Sequence, residues 1–280
     1  MDDHRRCRRL GLHPVPEHAL ADLIPAAASR GSAAWVTKAS WLDRGRTCEP
    51  RVVADSIKEV LAAYLDDERA RLARKTFGNY ASVIELLEHS LNGYAYESLE
   101  LSELELWERA SDAGNEEAFC ELFGPDKIPG HLGEFLGYFM VRKVMASEEL
   151  LRASGTVTKK LASWLASHGY ITEAQHVDAS ERGGDAARDL PRAEKLAGLL
   201  YEQARLTPKF EPDDVGDDDW IDDYLVIDRV EPGSIWFEGT DPVNVAKAAT
   251  DLAQPGWSVN VVLVRLGGSW HIVEVGNVYV

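Results

Sequence analysis

The spacing of apolar residues changes once along this chain, and that change limits the possible fold more than any other feature. Between residues 53 and 171 apolar side chains recur every three or four positions, as on one face of an α-helix. Beyond residue 219 apolar and polar residues alternate, for example around Val259, Val261 and Val264, which is typical of strands. The sequence therefore predicts an all-α domain followed by a small α+β domain.

Capping residues and glycines divide the helical region. Ser56 and Glu59 have the spacing of a capping box at the start of the first helix. By the same pattern Ser102 and Glu105 are expected to open a later helix, which Gly114 closes. Several short helices that share one core are therefore predicted.

The last part of this region is expected to hold two helices. Ser147 is predicted to cap a short one, and a separate longer helix then runs to a stop at Gly169. On this interpretation Lys159 and Lys160 fall in the first turn of the longer helix.

The chain after Ile171 is predicted to be less regular at first. We expect a weak helical piece, a loop at Gly183-Gly184, and a helix with Pro191 in its first turn. Residues 207–219 are rich in aspartate and are interpreted as a solvated linker. Strands at 224–230, 234–238, 258–266 and 269–275, with a helix at 243–252, then predict a ββαββ module or partly open barrel.

These patterns divide the chain into four segments. The first has clustered arginines and no sustained period, and we interpret it as a poorly ordered arm. The segments are the arm at 1–50, the helical domain at 51–171, a helical bridge and acidic linker at 172–219, and the α+β domain at 220–280.

Charge and cysteine content restrict the class of protein. The net charge of −17 is uneven: residues 1–50 carry +2, residues 51–170 carry −7 and residues 171–280 carry −12. Such a chain is not expected to coat nucleic acid without regard to sequence. Cys7, Cys48 and Cys120 form no C-x-x-C pair, so the reducing cytoplasm is the predicted compartment. Apolar runs are too short to predict a membrane span.

Positive charge is nevertheless concentrated at two places in the helical region. No acid interrupts residues 69–82, where Arg69, Arg71, Arg74 and Lys75 lie around a helix start. Basic residues are unfavourable near a helix N-terminus, and a phosphate bound there would remove the conflict. The alternative is that these are solvated faces paired with Asp66, Asp67, Glu148 and Glu149.

Two segments at these places resemble one known family. They read ARKTFGNYASVIELL from Ala73 and SGTVTKKLASWLASHGYI from Ser154. They are similar to the two helical halves of the SAM-like core-binding domain of phage integrases and other tyrosine recombinases. The matching positions are Thr76 and Tyr80 in the first half, and Thr158, Leu161, Trp164, Leu165, Gly169 and Ile171 in the second. The resemblance implies a helical clamp on duplex DNA that contacts mainly phosphates.

The departures from that family are also informative. No histidine is followed by arginine at the third position, and the remaining chain is too short for the family's catalytic domain. Residues 99–129 are inserted between the two halves. Phosphate-loop, dinucleotide-binding, zinc-protease and serine-hydrolase motifs are absent from the sequence. We therefore expect no enzyme and no cofactor.

The tryptophans of the C-terminal module have two interpretations. Trp236, Trp257 and Trp270 could stack on single-stranded bases, but strand positions favour burial in a core. We expect the core role and assign no site residue there.

The resulting hypothesis is a non-catalytic DNA-binding protein. The alternative is an interaction adaptor whose acidic C-terminal half binds a basic protein partner. The residues predicted to contact DNA are Arg69, Arg71, Arg74, Lys75, Thr76, Arg142, Lys143, Thr158, Lys159 and Lys160.

Overall fold

The computed structural model describes residues 55–280, apart from the side chain of Asp214. The predicted N-terminal arm and the cysteines Cys7 and Cys48 lie outside the described residues. Within 55–280 a helical part precedes a small mixed five-stranded sheet, which confirms the predicted order of the two parts. The eight helices of the first part are α1 Ile57–Arg71, α2 Arg74–Tyr94, α3 Leu101–Asp112, α4 Ala118–Leu122, α5 Ile128–Glu134, α6 Met140–Arg142, α7 Glu148–Ser167 and α8 Glu173–Ala204.

Most of the predicted helix ends are confirmed. The Ser56 backbone N–H donates to Glu59 Oε2 at 2.9 Å, and the Glu59 N–H donates to Ser56 Oγ at 3.2 Å, which is the expected capping box of α1. Gly114 and Gly169 have φ values of 88° and 77°, which lets them end α3 and α7. Ser147 caps α7 by accepting a hydrogen bond of 3.3 Å from the Leu150 N–H.

The predicted start of the third helix is wrong by two residues. Glu100 is the N-cap of α3 and forms a capping box with Glu103, while Ser102 already lies inside the helix. A glutamate side chain can also accept a hydrogen bond from the first free N–H groups of a helix. The sequence therefore contains two overlapping capping patterns, Glu100–Glu103 and Ser102–Glu105, and the helix begins at the first.

The separation of α7 into two helices is also wrong. A single helix of 20 residues runs from the Ser147 cap to Ser167, so Lys159 and Lys160 lie in its middle. Gly155 does not interrupt it. A Cβ atom at Gly155 would lie 2.2 Å from the Ala187 backbone nitrogen of α8, so this glycine permits a close helix crossing.

The loop predicted at Gly183-Gly184 is likewise helical. The 32-residue helix α8 continues through these glycines and through Pro191, and a Thr172–Gln175 capping box opens it. Gly183 lies at the crossing, because its Cβ would be 2.7 Å from the Gly155 carbonyl oxygen. Proline inside a helix removes one backbone hydrogen bond, and burial of the α8 apolar face offsets that loss.

The α8 helix contributes to two hydrophobic cores. Ala186 and Leu190 pack in the core of the helical part. Leu196 and Leu200, two turns further on, pack in the core of the sheet. This one helix therefore connects the two cores directly.

The C-terminal sheet is a closed barrel. Its strands are ordered β1-β2-β3-β5-β4, and β1 pairs with β4 in antiparallel fashion to close it. A barrel was one of the two predicted forms, and it is closed rather than partly open. β3 pairs in parallel with β5 through Val243 and Trp270, and its position was predicted as helix. The elements are β1 Trp220–Glu231, β2 Ser234–Phe237, β3 Val243–Asn244, α9 Lys247–Thr250, β4 Ser258–Leu266 and β5 Ser269–Tyr279.

Of Trp236, Trp257 and Trp270, the last two belong to the interior of the barrel. Trp257 and Trp270 are 6% and 4% exposed, as expected for core positions, while Trp236 is half-buried. The acidic stretch before β1 forms two short 3-10 turns, Pro212–Asp214 and Asp217–Asp219. Across residues 55–280, no helix has the length and apolar character needed to cross a membrane.

Candidate nucleic-acid interface

The turn between α1 and α2 concentrates positive charge. α1 ends at Arg71 and α2 begins at Arg74, with Leu72 packed against the helical core between them. The N-cap of α2 is Ala73, whose methyl group cannot accept a hydrogen bond, and the first turn contains no acid. The first backbone N–H groups of α2 therefore receive no side-chain cap and can donate hydrogen bonds to a bound anion. They lie beside Arg74, Lys75 and the exposed Thr76.

Arg71 is held in place by a buried carboxylate. Glu68 is 3% exposed, and its Oε1 atom accepts a hydrogen bond of 3.1 Å from Arg71 Nε and a second one from Nη2. These hydrogen bonds raise the pKa of Arg71 above its ordinary value. The arginine side chain is half exposed, so its remaining N–H groups face solvent in a restrained orientation.

Arg69 and Lys75 have acidic neighbours. Arg69 Nη1 lies 3.6 Å from Asp66 Oδ1, and the guanidinium lies 5.0 Å from the centroid of the Phe77 ring. Lys75 Nζ lies 3.1 Å from Glu149 Oε1 at the start of α7. Both pairs are exposed, so each is weak and exchangeable.

The Lys75–Glu149 pair also brings the two predicted basic regions together. A shallow groove of about 220 Å³ runs between the first turns of α2 and the first half of α7. Thr76 and Tyr80 line one side of it, and Arg152 and Thr156 line the other. Lys160 is one helical turn beyond Thr156 on the same helix.

Three cations on this side have no partner within the described residues. The side chains of Arg74, Lys159 and Lys160 are exposed and make no hydrogen bond or ion pair with residues 55–280. We call the surface formed by Arg74, Lys75, Thr76, Arg152, Lys159 and Lys160 the α2–α7 surface. It joins a free helix N-terminus on α2 to three basic residues of α7. Arg152 pairs with Glu148 at 2.9 Å, and Lys159 borders the crossing with α8 at Gly183.

Thr158 does not belong to this surface, which corrects the sequence prediction. It is 1% exposed, and its hydroxyl has no hydrogen-bond partner among the described residues. Thr158 neighbours the buried Val157 and lies one turn before the buried Ala162, so it faces the core. It therefore has no access to DNA.

Arg142 and Lys143 contact tyrosines away from the α2–α7 surface, so that surface does not include them. Arg142 Nη1 donates to the hydroxyl of Tyr279, at 3.4 Å, and to that of Tyr224, both on the barrel. Lys143 Nζ lies 5.8 Å and 5.7 Å from the ring centroids of Tyr94 and Tyr138. The tyrosine contacts raise the pKa of both cations. These residues lie where the helical part meets the barrel.

A buried polar cluster behind the α1–α2 turn was missed in the sequence. The Tyr64 hydroxyl and Glu68 Oε2 are buried and have no hydrogen-bond partner within residues 55–280. Burial raises the pKa of the Tyr64 phenol. Helical spacing could have predicted this burial. Glu68 follows Tyr64 by one helical turn, on the face that also carries the buried Ile57 and Leu61.

Comparisons of this chain with known protein families, with curated proteins and with solved structures found no match. Within residues 55–280, no group of three or more His, Cys, Asp or Glu side chains is arranged to hold a metal ion. The resemblance to recombinase core-binding domains therefore rests on the two sequence segments alone.

Proposed function

We propose that this protein is a non-catalytic DNA-binding protein that holds duplex DNA by its phosphates through the α2–α7 surface. The observation that carries the proposal is the set of three exposed cations, Arg74, Lys159 and Lys160, that have no partner within residues 55–280. The chain has 47 acidic and 30 basic residues, so acidic partners are abundant. Three cations that pair with no acid of residues 55–280 are available to bind an external anion.

The free start of α2 adds to these charges. Its uncapped N–H groups and the positive end of the helix dipole favour a phosphate, and Arg74 and Lys75 are positioned to pair with the same group. Lys75 would exchange Glu149 for phosphate, which costs little because the existing pair is exposed. The charges of the acidic barrel are screened over about 8 Å at physiological salt.

The proposed contact differs in one respect from a clamp built of two helix starts. Lys159 and Lys160 lie in the middle of α7, so they would meet the DNA backbone from the side of a helix, with no dipole contribution. The resemblance to SAM-like core-binding domains supplies duplex DNA as the target, with α2 and α7 corresponding to the two halves. The inserted helices α3 and α4 are additions to that pattern.

The proposal is tested by titrating a labelled duplex of about 25 base pairs, followed by fluorescence anisotropy, at several salt concentrations. If three or four phosphates are neutralised, log K should fall against log salt with a slope of about −3 to −4. The combined variant Arg74→Gln, Lys159→Gln, Lys160→Gln should lose most of that slope. The matched control Lys195→Gln, Lys209→Gln, Lys247→Gln removes the same charge from positions outside the α2–α7 surface. It should keep the salt dependence of the parent chain. Absence of binding at low salt, or a flat salt response, would overturn the proposal.

A second candidate is favoured by the exposure of the acidic stretch at the start of the barrel. The acids with exposed side chains there are Glu211, Asp213, Asp217, Asp218, Asp222 and Asp223. An adaptor that binds a basic protein through this stretch would bind a lysine-rich peptide in a salt-dependent manner. Substituting Asp217, Asp218, Asp222 and Asp223 by asparagine should abolish that binding and leave duplex binding unreduced.

A further inference from the structure

A cleft of about 540 Å³ opens where the helical part meets the barrel. Its walls are the end of α6 with the segment that follows, the start of α7, the middle of α8, and β5. Its floor is apolar and almost fully buried. The floor residues are Met140, Leu151, Leu190, Ala193 and Val278, each 4% exposed or less.

The size and position of this cleft are those of a small-molecule site. Ligand pockets commonly have volumes of roughly 300–1,000 Å³, lie between structural units, and combine an apolar floor with a few polar groups. Here the polar groups are Arg142, Lys143, Ser147, Asn277 and Glu194. One carboxylate therefore stands among the lining residues, against two cations.

The two cations are not neutralised by acids. Arg142 uses one nitrogen for two tyrosine hydroxyls, which are neutral acceptors, and the guanidinium has further N–H donors. Lys143 lies over the faces of Tyr94 and Tyr138, which are also uncharged. Neither cation pairs with a carboxylate of residues 55–280. In an acidic chain, this leaves local positive charge at the cleft.

The rim of the cleft carries an exposed apolar side chain. Met145 belongs to the irregular segment between α6 and α7, lines the cleft, and is fully exposed. Burying an apolar side chain is favourable, and methionine adapts its shape to a bound apolar group. A ligand in the cleft would cover it.

We propose that this cleft binds a small anionic amphiphile, with the apolar body on the buried floor and the anionic end at Arg142 and Lys143. A straight alkyl carboxylate has this chemistry. The site uses side chains other than those of the α2–α7 surface, so it does not depend on the proposed DNA binding.

The test is calorimetric titration of the full chain with sodium decanoate below its micelle concentration. Decyltrimethylammonium, which has the same tail and the opposite charge, serves as the comparison ligand. Decanoate should bind at one site, at least about tenfold more tightly than decyltrimethylammonium. Absence of saturable decanoate binding, or equal binding of the two amphiphiles, would overturn the proposal.

Two substitutions at exposed positions locate the binding. Lys143→Met removes the charge and keeps the stem, and Met145→Glu places an acid at the rim. Each should weaken decanoate binding by about two- to fivefold, the effect of one ion pair near a surface, without weakening decyltrimethylammonium binding. Lys160→Met removes an exposed cation outside the cleft and should leave decanoate binding unchanged. If Lys143→Met and Met145→Glu bind decanoate as the parent chain does, with the same circular dichroism spectrum, the cleft is not the site.

Discussion

Gly155 of α7 and Gly183 of α8 meet where these two helices cross. A Cβ atom built on Gly155 would lie 2.4 Å from the carbonyl oxygen of Gly183. No side chain fits in that space, so the helices approach each other through their backbones. The long continuous α8, which joins the two cores, packs on α7 at this contact.

Gly155→Ala should destabilise the protein by about 1–3 kcal/mol, because an added methyl group forces the two helix backbones apart. The measurement is urea unfolding followed by circular dichroism. Gly184→Ala is the matched control, since a Cβ at Gly184 meets no atom within 4 Å. It should stabilise α8 by about 0.5–1 kcal/mol, because alanine loses less backbone freedom than glycine in a helix. Equal effects of the two substitutions would contradict the close crossing.

Arg71→Ala should cost about 1–2 kcal/mol, because it leaves the buried carboxylate of Glu68 without its cation. The partial exposure of Arg71 keeps the cost below that of a fully buried pair. Arg109→Ala breaks the exposed pair with Glu105 and should cost less than about 0.5 kcal/mol. Urea midpoints for the two variants give the comparison, and a cost for Arg71→Ala no larger than for Arg109→Ala would refute the role assigned to Glu68.

Cys120 should be chemically inert in the folded protein. It is 1% exposed, and burial raises the pKa of its thiol to about 12. Because the thiolate is the reactive form, Cys120 should react with a disulfide reagent at pH 8 roughly a thousandfold more slowly than in urea. The experiment uses a Cys7→Ser, Cys48→Ser background, so that the signal comes from one thiol. Labelling of Cys120 within minutes under native conditions would contradict this prediction, because it would require α4 to leave the helical core readily.

His131 should make stability depend on pH. Burial is the main cause that lowers the pKa of its imidazole below 6.5, with the nearby Lys127 charge adding to it. The unfolded chain then binds a proton more readily than the folded one, so stability present above pH 6.5 is lost progressively as the pH falls from 6.5 through the lowered pKa of the folded protein. His131→Gln should remove this loss, which is at most about 1.4 kcal/mol per pH unit.

The difference between the two chains is the quantity to measure. Thermal unfolding at pH 7.5 and 5.5 compares them, and acids whose pKa is raised, such as Glu88, contribute equally to both. Identical pH dependence of the parent chain and His131→Gln would contradict the assignment.

Local signals in the sequence predicted the helix ends well. The Ser56–Glu59 box, the Ser147 cap and the Gly169 stop depend on hydrogen bonds or backbone angles within a few residues. Such signals need no distant partner to be interpreted. The change from helical to alternating spacing predicted the two parts of the chain for the same reason.

Predictions that depended on packing were less reliable. Gly183-Gly184 looked like a loop, because glycine lowers helix propensity, yet both residues lie inside α8, and at Gly183 only a residue without a side chain fits. Of the ten predicted contact residues, Thr158 turned out to face the core and Arg142 to face the barrel. Neither orientation follows from the spacing of residues in the sequence, because each depends on which distant part of the chain packs against the side chain.

By itself, the sequence determined most of the helical segments, several of the helix ends, and where positive charge gathers on an acidic chain. These properties arise from near neighbours along the backbone. The tertiary structure decided that α7 and α8 continue through their glycines, that the Arg74 and Lys160 regions share a side of the molecule, and that two cations border an apolar cleft. Each of these depends on residues far apart in sequence, and their contacts exist only once the cores have formed.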